Sequence, residues 1–95
     1  MRVIVMKVSL RADWSHSLKE KRMIVKSIIS KLQNKFNISV SEVDEQDIHQ
    51  SIVIGICGVC IDNKQADSTI ESVISFVEEN TDAEIINIEQ EVNLY

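Results

Sequence analysis

This chain of 95 residues contains no proline and only two glycines, Gly55 and Gly58. Without a Pro- or Gly-rich stretch it has no flexible linker, so residues 1–95 read as a single domain. No apolar run approaches the roughly 18 residues a membrane span needs, and no membrane partner is expected. The opening stretch MRVIVMKVSL lacks the small-residue cleavage site of a signal peptide. Cysteine occurs twice. With no secretion signal, that points to a reducing, cytoplasmic setting. The apolar content, 44%, is ordinary for a globular chain and argues against disorder. A domain of this size buries roughly two-thirds of its unfolded surface, enough to fold without metal or disulfides.

The net charge is −5, but it is divided along the chain. Residues 1–40 hold nine of the ten Lys and Arg with only Asp13 and Glu20 as acids, a balance of +7. Residues 41–95 hold thirteen acids and Lys64, a balance of −12. Such a division permits a basic face on an acidic protein.

Residues 2–12 alternate, with Ile4, Met6, Val8 and Leu10 on one parity, and read as a strand. Residues 17–36 change to a helical period, with Leu18, Val25, Ile28, Ile29, Leu32 and Phe36 in one stripe. A second, more polar strand is expected over 38–43, followed by the polar turn DEQDIHQ. SIVIGICGVCI, residues 51–61, is apolar on both faces and reads as a central strand, and the pattern leaves open which parity meets the core. A second helix is expected over 62–80, with Ile70, Val73, Ile74 and Val77 at helical spacing. The last strand, within 83–95, would place Ile86, Ile88, Val92 and Leu94 on a shared face.

The order βαββαβ predicts an α+β, ferredoxin-like domain: a four-stranded antiparallel sheet with two helices on one face. That topology places the first and third strands, the most apolar ones, in the middle. It also leaves the other sheet face uncovered. Val3 and Val5 would lie there, in an apolar patch of the kind that marks interfaces, and self-association through it is expected.

HSLKEKR, residues 16–22, opens the first helix. Ser17 and Glu20 have the spacing of a capping box, worth about 1 kcal/mol. Lys19, Lys21 and Arg22 nevertheless bring cations to the helix end that is already positive. Lys19, Arg22 and Lys26 line one flank of the apolar stripe, Lys31 and Lys35 the other, with Lys21 nearer the core edge. A helix start with free amides and clustered cations suits phosphate, so Lys19, Lys21, Arg22 and Lys26, with His16 beside them, form the candidate anion or RNA face. The plain alternative is a solvated helix whose cations pair with the acidic half.

Three other stretches have weaker chemistry. Cys57 and Cys60 match C-x-x-C, but in a strand their Cα atoms lie about 10 Å apart and point to opposite faces, so both read as buried thiols. Glu42, Asp44, Glu45 and Asp47 cluster near His49 without the pattern of a calcium loop, and read as a solvated hairpin or a pairing surface for the basic helix. Trp14 reads as packing over the sheet end or, if exposed beside the cations, as a stacking platform for a base. No metal or cofactor is expected.

HSLKEKR, FNISVSEVDEQD and the apolar strand after them resemble the YlxP-like family of small bacterial proteins, in the same order over nearly the whole chain. Ser17, Leu18, Lys19, Lys21 and Arg22 match its first motif, and Glu42, Val43, Asp44, Gln46 and Asp47 its second. The chain departs at His49, where the family pattern carries Trp, so no role for an aromatic is carried over there. The resemblance implies a ferredoxin-like fold without an assigned enzymatic activity, and genes near those of translation and ribosome-maturation factors.

The resulting expectation is a non-enzymatic cytoplasmic accessory protein that contacts the ribosome or RNA through the basic first helix, without sequence-specific DNA binding. One alternative is a homo-oligomeric interaction module that binds no nucleic acid. A lesser one is an acylphosphatase-like hydrolase using Arg11. That family cradles phosphate in a glycine-rich loop resembling GxVQGVGFR, whereas RADWSHS here has no glycine.

Overall fold

The computed structural model describes residues Met1–Tyr95. Strand β1 (Arg2–Arg11) leads to helix α1 (Leu18–Lys35), then β2 (Ser39–Asp44), β3 (Ser51–Cys60), helix α2 (Asn63–Asn80) and β4 (Glu84–Leu94). All pairings are antiparallel and the sheet order is β2-β3-β1-β4. This is the expected ferredoxin-like arrangement, with the two most apolar strands in the middle. No helix is long and apolar enough to cross a membrane.

Both helices start on side-chain caps. The Glu20 amide donates to Ser17 Oγ at 3.1 Å, and the Glu20 carboxylate accepts from the His16 amide at 3.0 Å. At α2, the Gln65 amide donates to Asp62 Oδ1 at 2.8 Å, and Gln65 Oε1 accepts from the Ile61 amide at 2.6 Å. The reciprocal logic is the same: each pair satisfies donors that the first helical turn leaves free.

The core lies between the sheet and the helices. β1 contributes Ile4, Met6, Val8 and Leu10, and β3 contributes Ile52, Ile54, Ile56 and Cys60. This resolves the parity of β3: its even positions meet the helices, leaving Val53, Gly55, Cys57 and Val59 on the open face. From the helices come Val25, Ile28, Leu32, Ala66, Ile70, Val73 and Val77. Phe36 and Phe76 close one end edge to face, ring centroids 5.6 Å apart.

Two expectations about side-chain placement are corrected. In β4, Ile88 and Val92 pack on the core, but Ile86 and Leu94 are exposed and Ile85 packs instead. The register shifts there, with Ser9 opposite Asn87 and Leu10 opposite Ile85, so Ile86 is the extra residue of a bulge. The cysteines do point to opposite faces, but only Cys60 is buried; Cys57 is exposed on the open face.

A second register shift, between Glu42 and Asp44, brings Val43 over the open face. A Cβ built on Gly55 would lie 2.6 Å from Val43 Cγ1, so glycine is required for that close approach. Gly55→Ala is expected to destabilise by about 1–3 kcal/mol through overpacking. In a Val43→Ala background the same change should cost little, and additive melting-temperature losses for the two changes would contradict the contact.

Candidate functional site

Helix α1 lies along β2 and beside α2, while α2 packs over β1, β3 and β4. The charge division of the sequence thereby becomes lateral in part, since Glu42, Asp44, Glu45 and Asp47 stay on the α1 side, in β2 and the turn after it. The basic α1 occupies the β2 side of the molecule, and the acidic residues of α2 and β4 occupy the other.

Lys19, Arg22 and Lys26 are exposed on α1, and none has a carboxylate within 4.0 Å. Positions i and i+7 place Lys19 and Lys26 about 10 Å apart along the axis. Arg22 and Lys26 also line a shallow groove of about 620 Å³ between α1 and the free edge of β2, with Ser30, Gln33, Gln46 and Glu42 as its other polar side chains. Along this flank the chain offers three unpaired cations and a strip of neutral donors. On the other flank, Lys31 Nζ donates to the Asn80 carbonyl at the end of α2, at 3.3 Å.

Lys21 does not belong to this face. It is 1% exposed, and its ammonium pairs with Glu42 Oε2 at 3.0 Å. It also donates to the backbone carbonyl of Glu45. Glu42 Oε2 is itself shut off from water and has no other partner. The expectation of Lys21 as an anion contact is therefore corrected: burial under α1 makes it a structural cation. The signal was in the sequence, because Lys21, Val25, Ile28 and Leu32 repeat at i, i+4, i+7 and i+11, in the centre of the buried stripe.

The same contact organises the hairpin connection. Glu45 has a φ of 52°, in the left-handed region that costs a non-glycine residue about 1 kcal/mol or more. Its carbonyl takes the Lys21 ammonium and the Ile48 amide (3.1 Å), its amide donates to Asp44 Oδ1 (2.8 Å), and its carboxylate accepts from Ser51 Oγ. Of the two readings of the acidic stretch, the pairing surface is thus realised at Glu42. Asp44, Glu45, Asp47 and His49 stay exposed and gather no metal-binding cluster. HSLKEKR and SEVDEQD, separated in sequence, meet at Lys21.

The connection from β1 to α1 is braced from the β2–β3 connection. Gln50 donates through Nε2 to the Asp13 carbonyl at 3.1 Å, and its own carbonyl accepts the Ala12 amide at 2.9 Å. Arg11 Nε is held by Asp13 Oδ1 at 2.8 Å, and Ser15 is fully buried. His16 is exposed at the helix entry. Trp14 is 44% exposed and lines a groove with Met23, Ile24 and Asn80 at the sheet end, on the α2 side of α1. Val3 and Val5 lie on the open sheet face, Val3 half-buried and Val5 exposed.

Comparison with known proteins adds three findings. The family described as "Protein of unknown function (DUF503)" matches residues 3–90. Over 62 residues the chain is 40% identical to "Uncharacterized protein YlxP" of Bacillus subtilis (strain 168), a stretch covering 65% of this chain and 67% of that protein. Among solved structures, the de novo designed protein Foldit4 superposes with a TM-score of 0.55 over 98% of each chain, at 11% identity, a likeness of fold alone.

Proposed function

From the premise that this chain belongs to the YlxP-like family described as "Protein of unknown function (DUF503)", we propose that it is a non-catalytic accessory protein. In this reading it contacts RNA, on the ribosome or free, through the outer face of α1. The observation that carries the reading is the state of Lys19, Arg22 and Lys26. They remain exposed and unpaired in a chain with fifteen acids, while their neighbour Lys21 is taken into the core.

Nine of the thirteen acids of residues 41–95 lie on or beside α2 and β4, away from the outer face of α1, which lets this face attract a polyanion although the whole chain repels one. The adjoining groove adds Ser30, Gln33 and Gln46, residues that hydrogen-bond phosphate and sugar without reading sequence. A short single-stranded RNA of mixed sequence, followed by fluorescence anisotropy across a salt series, tests the proposal. Three phosphate contacts give a slope of log K against log salt of about −2. Absence of binding at low salt, or an affinity independent of salt, would contradict it.

A further inference from the structure

The sheet face opposite the helices is organised in zones. Its centre, on β1 and β3, carries Val3, Val5, Cys57 and Val59, of which Val5 is 42% and Val59 67% exposed. Its margins are mostly polar: Ser39 and Ser41 on β2, where Val43 also lies over Gly55, and Glu89 and Glu91 on β4. An apolar centre within a polar rim is the anatomy of a protein interface, and on the two central strands the charged groups of this face are Lys7, which pairs with Glu89 at 3.7 Å, and Arg11 at the strand end, held by Asp13 at 2.8 Å. We propose that this face binds a second copy of the same chain, sheet on sheet, about a two-fold axis running parallel to the strands between β1 and β3.

Area supports this occupant. Three strands of about ten residues and β2 of six, at about 4.8 Å spacing and about 3.3 Å per residue, make a face of about 570 Å². Two such faces bury about 1,100 Å² together, above the roughly 1,000 Å² of a specific interface.

Charge selects the axis. A two-fold along the strands sets β1 over β3 of the other copy and β4 over its β2. In the observed rows, Val5 lies between Cys57 and Glu91, with Ser39 beyond Cys57, and Lys7 lies between Gly55 and Glu89, with Ser41 beyond Gly55. The rotation therefore places Val5 over Cys57, Glu91 over Ser39 and Glu89 over Ser41. The apolar centres meet on β1 and β3, and carboxylates meet hydroxyls that can donate to them. A two-fold across the strands, centred between these rows, would instead stack β4 on β4 and bring Glu89 against Glu91 of the other copy, which like-charge repulsion opposes. The chosen dimer leaves both α1 faces pointing outward, and it stands or falls independently of what those faces bind.

The test is light scattering on the full chain over micromolar to millimolar concentration, with thiol labelling by Ellman's reagent in parallel. The expected mass is twice 10.8 kDa. Val59→Lys, on an exposed position, should keep the circular dichroism of the wild type and give a monomer. Its Cys57 should react severalfold faster than in the wild type, while the buried Cys60 is unchanged between them. Ser39→Glu, which sets a carboxylate opposite Glu91, should also weaken the dimer. If Val59→Lys fails to fold, Ser39→Glu alone decides. A monomeric wild type, or a dimer indifferent to every variant that folds, overturns the proposal.

Discussion

Lys21→Met is expected to lower the melting temperature by about 12–24 °C, the shift that about 3 kcal/mol produces in a domain under 100 residues. The change removes the ammonium and leaves the Glu42 carboxylate, 17% exposed, with no partner for its enclosed oxygen. Breaking one side of a buried pair costs about 3–5 kcal/mol, and partial access to water puts this site at the low end. The Glu45 carbonyl also loses a donor while its residue keeps the left-handed backbone. Much of the loss should be regained by adding Glu42→Leu, because apolar groups of similar volume replace such pairs at little cost. Thermal melts of the single and double variants measure both effects. A Lys21→Met protein within 1 °C of wild type would mean the pair is not structural.

Reversing the outer cations, Lys19→Glu with Arg22→Glu and Lys26→Glu, is expected to weaken single-stranded RNA binding on the order of 100-fold. Loss of three attractions worth about 1 kcal/mol each in water at 4 Å accounts for that factor, and repulsion by the new carboxylates adds to it. Melting temperature should hold, since all three side chains are exposed and unpaired. Long-range repulsion must be separated from local contact, because each reversal lowers the net charge by two. The matched control reverses Lys31, Lys35 and Lys64, so both triples fall from −5 to −11. If local contact governs, the control loses less than a tenth as much affinity as the α1 triple. Equal losses would assign the effect to net charge.

Much of the fold was legible because polarity and topology agree. β1 and β3 are the most apolar strands and lie in the middle, and the polar strands lie at the edges. Periodicity located both helices to within a residue. It failed where a local irregularity changes the count: one bulged residue moves Ile86 out and Ile85 in. It was silent on β3, where both parities are apolar, so only the covering helices distinguish Ile54 from Val53. At the site, Lys19, Arg22 and Lys26 lie on the exposed flank that the helical wheel indicates. Lys21 was misplaced because its charge outweighed its position in the stripe, and its partner Glu42 lies 21 residues away on another element. Spacing along one helix carries no information about such a contact.

The contact between the outer face of α1 and RNA is tested most directly by co-sedimentation with ribosomes at low salt. Wild type, the Lys19, Arg22, Lys26 triple and the matched Lys31, Lys35, Lys64 triple are compared at equal concentration. The prediction is that wild type and the matched triple pellet with ribosomes and the α1 triple stays in the supernatant. All three pelleting alike, or none pelleting, would contradict it.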